Sequence, residues 1–99
     1  MAKRKIIWSN RANSKLIRIL EFYNKRNQSR SYSSKLFKLI SKNVKLLQTQ
    51  PFLGLKSSLK PFRGLIISDF IIFYEVTDDF IIIHTLWDCR QNPDSLMIK

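Results

Sequence analysis

The chain has 99 residues, which is enough for one hydrophobic core and too few for two. Hydrophobic residues make up 44% of it and aromatic residues 12%, so the composition excludes a disordered chain. The formal net charge of +11 at pH 7 favours polyanionic partners, either nucleic acid or an acidic protein segment.

The positive charge belongs to the first half of the chain. Residues 1–50 carry thirteen Lys or Arg side chains against the single acid Glu21, which is a balance of +12. Residues 51–99 carry five basic and six acidic side chains. Solubility alone requires less charge than the first half carries, so we expect a functional basic surface there. Ordinary solubilising charge is the alternative interpretation.

The cysteine content and the lengths of the apolar runs indicate the compartment. The single cysteine, Cys89, excludes an internal disulfide and is typical of a reducing environment. Every apolar run is shorter than a membrane span, and Ser9 and Asn10 break any signal-peptide core. We therefore expect a cytoplasmic protein without a membrane segment or a cofactor. His84 is the only histidine, and with scattered acids it predicts no metal site.

A strand and two helices are predicted in the first half. Residues 3–8 form a short strand candidate, and Ser9 or Asn10 can cap the helix that follows. The apolar face of the first helix consists of Ala12, Leu16, Ile19, Leu20 and Tyr23. The second helix, capped by Ser29 or Ser31, extends to about Gln48. Its expected core residues are Tyr32, Leu36, Leu39, Ile40, Val44 and Leu47.

Each predicted helix also carries a basic stripe. Arg11, Lys15 and Arg18 share one face of the first helix. Lysines recur at i, i+3, i+7 and i+10 along the second helix, and these are Lys35, Lys38, Lys42 and Lys45. We expect both stripes to face solvent or a nucleic-acid or protein partner, so that the two helices form a basic hairpin.

A three-stranded antiparallel meander is predicted in the second half. Runs rich in β-branched and aromatic residues occupy positions 60–67, 70–76 and 80–87, with breaks of two and three residues between them. Connections this short join only antiparallel neighbours. Pro51 and Gly54 end the second helix, and we expect a connector from there to the first run.

Strict alternation along the last run assigns its residues to two faces of the sheet. Ile81, Ile83, Thr85 and Trp87 would share one face, and His84 would lie on the other. Both faces are largely apolar, so the helical hairpin should cover one of them.

Four segments carry a resemblance to a known family. They are IIWS at 6–9, QPFLG at 50–54, FIIFYEV at 70–76 and the stretch from III at 81–83 to DCR at 88–90. In their order and spacing they resemble the helix exit and the strands of the RelE/ParE superfamily of bacterial type II toxins, over nearly the whole chain. The resemblance implies an α+β fold in which an N-terminal strand, a two-helix hairpin and the meander form one four-stranded sheet.

Members of this superfamily are small basic toxins that a co-transcribed antitoxin holds inactive. RelE-like members cleave mRNA in the ribosome, and ParE-like members inhibit DNA gyrase. The resemblance implies a cognate antitoxin as partner, with operator DNA bound only through the antitoxin complex. RNA cleavage by a RelE-like site would use basic residues, and the matching catalytic candidates are Lys60, Arg63 and Arg90, with Lys56 beside them as a binding residue.

Two departures from the RelE pattern count against cleavage. Asp88 stands where many members carry histidine, and neither Tyr nor His follows Arg90. We therefore predict a ParE-like toxin that inhibits a target such as DNA gyrase. A RelE-like, ribosome-dependent mRNA interferase is the alternative, which leaves an enzymatic activity open. A non-toxic basic nucleic-acid-binding domain and a decayed toxin that retains only antitoxin binding are further alternatives.

Overall fold

A computed structural model of the chain describes residues 3–58 and 61–89, which form one mixed sheet and two helices. The strand order is β1-β5-β4-β3-β2, with β1 parallel to β5 and the other neighbours antiparallel. The elements are β1 (Lys5–Trp8), α1 (Asn10–Asn27), α2 (Ser31–Leu46), β2 (Leu55–Lys56), β3 (Phe62–Ile67), β4 (Phe70–Val76) and β5 (Phe80–Asp88).

The predicted α+β order of strand, helical hairpin and meander is confirmed. The sheet has five strands rather than the expected four, because Leu55 and Lys56 pair with Gly64 and Arg63 as a short edge strand. The sequence analysis placed these two residues in the connector, since a two-residue strand cannot show an alternating pattern.

The junction between β1 and α1 is tied to the last strand. Ser9 is the N-cap of α1, and its Oγ accepts a hydrogen bond of 3.0 Å from the Ala12 amide. The same hydroxyl donates to the His84 carbonyl at 3.0 Å, and the Ser9 amide donates to the Ile83 carbonyl. One residue therefore starts the helix and fixes it on β5.

Helix α2 differs from its prediction at both ends and at one core position. Its N-cap is Arg30, which makes no side-chain cap, while Ser29 Oγ accepts from the Ser31 amide. The helix ends at Leu46 rather than near Gln48. Leu39, expected in the core, is 41% exposed. At 100° per residue it lies on the flank of the stripe defined by the other core residues, beyond the reach of the sheet.

A β-bulge overturns the strict alternation predicted for β5. Tyr74 in β4 pairs with Ile83, whereas the preceding Phe73 pairs with Thr85, so His84 is an extra residue in the ladder. Ile83 belongs to the core under the helices, but beyond the bulge the residue that joins it there is Leu86, whereas strict alternation puts Thr85 on the same face as Ile83. An inserted residue moves every later side chain of the strand to the opposite face of the sheet. The apolar pattern of the sequence does not show where the insertion lies.

The core lies between the helical hairpin and one face of the sheet. Its largest fully buried side chains come from both layers, and they are Ile40, Leu47, Phe70, Ile72, Tyr74, Ile81, Ile83 and Leu86. Within residues 3–58 and 61–89, neither helix combines the length and the apolarity that a membrane span requires.

Hydrogen bonds from the Tyr74 side chain link the loop that follows α2 to the centre of the sheet. Its hydroxyl donates to the Pro51 carbonyl at 2.9 Å and accepts from the Gly54 amide at 2.8 Å. Burial raises the pKa of Tyr74 above its ordinary value of 10.0, an effect that outweighs the lowering by the Gly54 hydrogen bond and by Arg63. A Cβ on Gly54 would lie 2.7 Å from the Tyr74 hydroxyl, so this glycine provides close approach and not a left-handed turn.

Replacing Tyr74 with phenylalanine should destabilise the fold by about 1–3 kcal/mol, because the Gly54 amide and the Pro51 carbonyl lose their shared partner. Urea unfolding followed by circular dichroism measures this difference. The substitution keeps the aromatic ring, so the loss reports the hydroxyl and not a cavity.

Tyr32→Phe is the matched control for this prediction. Tyr32 packs against Tyr23 with ring centroids 4.7 Å apart, and its hydroxyl makes no hydrogen bond to any residue that the structure describes. This variant should unfold within about 0.5 kcal/mol of the parent chain. Equal stability of both variants would show that the Tyr74 hydroxyl does not hold the helix exit.

Candidate interaction surface

The basic residues predicted on α1 lie on its solvent side. Arg11 and Arg18 are exposed, whereas Lys15 is partly buried. The Lys15 ammonium lies 5.4 Å from the centre of the Trp87 ring, a distance at which a cation is attracted to an indole face. The structure thus brings Lys15, the middle residue of the predicted stripe, against Trp87 near the end of β5.

The second predicted stripe covers the outer surface of α2. Its four lysines are all exposed, and the helix contains no acidic residue to neutralise them. Leu39 and Leu46, 41% and 39% exposed, lie among these lysines. Unpaired cations beside exposed apolar side chains are typical of a surface that meets an acidic, amphipathic partner.

A groove with a volume of about 560 Å³ runs along α1 beside the end of β5, and we name it the α1 groove. Its lining consists of Lys15, Arg18, Ile19, Phe22, Tyr23, Arg26 and Asp88. The sequence analysis missed Phe22 and Arg26, although they follow Arg18 at steps of four residues on the same side of the helix. It missed Asp88 as a neighbour because only the fold brings β5 to this face of the helix.

Arg63 is turned toward the backbone of the helix exit. Its Nη1 donates to the Gly54 carbonyl at 2.9 Å and to the Phe52 carbonyl at 3.5 Å, and its guanidinium lies 4.8 Å from the Phe52 ring centre. Lys56 is its cross-strand neighbour and is exposed. Two cations therefore lie side by side at this sheet edge. Arg63 binds the loop, whereas the Lys56 side chain makes no hydrogen bond or ion pair with the described residues.

His84 lies on the opposite face of the sheet from Arg63. Its Nε2 is 3.0 Å from a Glu75 carboxylate oxygen, and its ring meets Phe62 edge-on at 4.8 Å. Phe62 pairs with Glu75 across the strands, next to the pair formed by Arg63 and Tyr74. Because neighbouring residues of a strand point to opposite faces, Phe62 and Glu75 lie on the face opposite Arg63. These contacts are those of a histidine packed on the sheet.

The remaining candidates add no catalytic group to the described surface. Lys60 and Arg90 lie outside the described residues. Cys89 is exposed, and desolvation together with the carboxylates of Asp88 and Asp69 raises the pKa of its thiol, which disfavours the nucleophilic thiolate. Within residues 3–58 and 61–89, no three His, Cys, Asp or Glu side chains lie close enough together to hold a metal ion.

Comparison with known proteins defines the class of this chain. A five-stranded sheet that carries a basic helical hairpin agrees with the RelE/ParE-like architecture that the sequence resembles. A family model described as the ParE toxin of the type II toxin-antitoxin system, parDE, matches residues 6–93. The chain therefore belongs to the ParE toxin family.

Solved structures share the fold. The chromosomal ParDE toxin-antitoxin system from P. aeruginosa matches with a TM-score of 0.74 and 22% sequence identity, over 85% of this chain and 94% of that chain. The E. coli DinJ-YafQ toxin-antitoxin complex matches with a TM-score of 0.56 and 14% identity, over 88% of this chain and 93% of that chain. No curated protein sequence matches the chain. At these identities the structures establish the fold alone.

Replacing Arg63 with methionine should lower the free energy of unfolding by about 1–3 kcal/mol, because the Gly54 carbonyl loses its charged donor while the long apolar stem is kept. Urea unfolding measures the change.

Lys56→Ala is the control on the neighbouring strand, where an exposed lysine is removed. It should change the free energy of unfolding by less than about 0.5 kcal/mol. If Arg63→Met were as stable as the parent, the arginine would not be holding the loop, and a role in phosphate binding would gain support.

Proposed function

We propose that this chain is a growth-inhibiting toxin which acts by binding a cellular target, with DNA gyrase as the first candidate, and which a cognate antitoxin neutralises. Membership of the ParE toxin family supports this function. In this proposal the protein acts in the cytoplasm and reaches operator DNA only through the antitoxin complex.

The observation that favours a binding mechanism over RNA cleavage concerns Arg63, the one catalytic candidate that lies among the described residues. Cleavage through the 2′-hydroxyl requires a base, a phosphate-binding cation and an acid within reach of one phosphate. The His84–Glu75 pair and Arg63 lie on opposite faces of the sheet, and two loop carbonyls already engage Arg63. Among the described residues, the histidine and the arginine therefore cannot act on the same phosphate.

The charge distribution supports a macromolecular partner. The exposed lysines of α2 and the cations along α1 give the two helices a large positive charge, against which they carry the single acid Glu21. A field of this kind raises the association rate with an acidic protein segment. An antitoxin that carries such a segment would cover the layer and compete with the cellular target.

Two reactions with purified protein test this proposal. We expect the protein to inhibit supercoiling of relaxed plasmid by DNA gyrase and to leave mRNA intact in a translating extract, as read by primer extension. Inhibition should reach completion near one protein per gyrase subunit if the target is the enzyme.

A cationic protein can also inhibit by coating DNA, so relaxation of the same plasmid by a type I topoisomerase is the matched control. Relaxation should proceed normally at the concentration that stops gyrase. Ribosome-dependent cuts in mRNA, equal inhibition of both topoisomerases, or no effect on gyrase would each contradict the proposed mechanism.

A further inference from the structure

The segment that leads from α2 into the edge of the sheet exposes large apolar side chains, and we name residues 51–56 the exit segment. Phe52, Leu53 and Leu55 are 60%, 44% and 70% exposed. Connecting segments are usually polar, and contiguous exposed apolar side chains mark interaction sites. We propose that the exit segment is the surface that binds the protein target, and that it inserts into an apolar pocket edged with carboxylates. This inference rests on the proposed function, because the target named there is the partner.

The exit segment is exposed, but hydrogen bonds hold its backbone in place. The Tyr74 hydroxyl binds both the Pro51 carbonyl and the Gly54 amide, and Leu55 pairs with Gly64 at the edge of the sheet. A segment that is already held in one conformation loses little conformational freedom on binding. More of the free energy gained by burying its apolar side chains is therefore available as affinity.

The charge beside the apolar side chains defines the chemistry of the partner. The Arg63 guanidinium lies 4.8 Å from the centre of the Phe52 ring, and Lys56 is exposed. No acidic residue occurs in the sequence between Glu21 and Asp69. A partner that buries the apolar side chains brings its own groups close to these two cations, and carboxylates are favoured there. A second copy of this chain, with its net charge of +11, is repelled instead.

The contacts of the exit segment favour a folded protein over a nucleic acid. Leu53 and Leu55 offer no ring on which a base could stack. Arg63 already donates to the Gly54 and Phe52 carbonyls, and its guanidinium lies against the Phe52 ring. The arginine and the ring therefore engage each other and the loop, and neither is left for a phosphate and a stacked base. An exposed apolar segment with a fixed backbone suits a concave apolar pocket.

The test measures the supercoiling of relaxed plasmid by purified DNA gyrase against the concentration of the full-length chain. We expect Leu53→Ala combined with Leu55→Ala to raise the concentration for half inhibition at least about tenfold, because both side chains would be buried in the pocket. Phe52→Ala should raise it about tenfold, as for a central interface residue. Phe52→Tyr keeps the ring and should stay within about threefold of wild type.

Ile7→Ala combined with Ile17→Ala is the matched control for the loss of exposed aliphatic side chains. The two residues are 41% and 47% exposed. Ile7 belongs to β1, which lies at the opposite edge of the sheet from β2, and Ile17 belongs to α1. This variant should inhibit gyrase within about threefold of wild type. Circular dichroism and urea unfolding show that every variant is folded.

Charge reversal tests the carboxylates expected at the edge of the pocket. Lys56→Glu should raise the concentration for half inhibition at least about fivefold, because a new carboxylate would face those of the partner. Lys3→Glu has the same net charge and changes an exposed lysine next to β1, so it should shift the concentration less than about twofold.

Inhibition by the double leucine variant at the wild-type concentration would overturn this inference, and so would equal weakening by the double isoleucine control. Saturable binding of a ten-nucleotide oligothymidylate that the leucine substitutions abolish would assign the exit segment to nucleic acid and overturn it as well. A wild-type chain that leaves gyrase uninhibited refutes the proposed function together with this inference. A wild-type chain and a leucine variant that inhibit gyrase equally refute the inference alone.

Discussion

The hydroxyl of Tyr74 is the contact on which the arrangement of this domain depends. It lies at the centre of the sheet, fully buried, and binds both the Pro51 carbonyl and the Gly54 amide where the chain leaves α2. The close approach requires a glycine at position 54 and brings the loop to within reach of Arg63. Through these contacts one side chain sets where the helical hairpin ends, where the short edge strand begins and which way an arginine points.

This arrangement has a direct consequence for chemistry. Arg63 is held toward the loop on the helical side of the sheet, whereas the His84–Glu75 pair occupies the other side beside Phe62. The sheet thus separates Arg63 from the His84–Glu75 pair, so these groups cannot contact one phosphate together. Positive charge is concentrated instead on the two helices, where recognition of another macromolecule depends on shape and electrostatics and needs no proton transfer. Family membership, the fold and the charge distribution support the same binding function.

Secondary-structure elements with a long hydrophobic pattern could be predicted from the sequence, whereas features that depend on one or two residues could not. The apolar spacing from Ala12 to Tyr23 and the short breaks of the meander are periodic signals, and both predictions are confirmed. The bulge at His84 and the pairing of Leu55 with Gly64 each involve only one or two residues, so they produce no periodic pattern in the sequence. Phe22 is different, because its spacing from Arg18 was visible, but only the position of β5 shows that the two residues line a groove.

The most direct measurement follows the first minutes after expression of the chain is induced in a bacterial host without an antitoxin. Incorporation of labelled thymidine and labelled methionine is recorded in parallel, since the two report DNA and protein synthesis separately. A toxin that binds gyrase should stop thymidine incorporation first while methionine incorporation continues. An earlier stop in methionine incorporation, or unchanged incorporation of both in the presence of folded protein, would contradict the account.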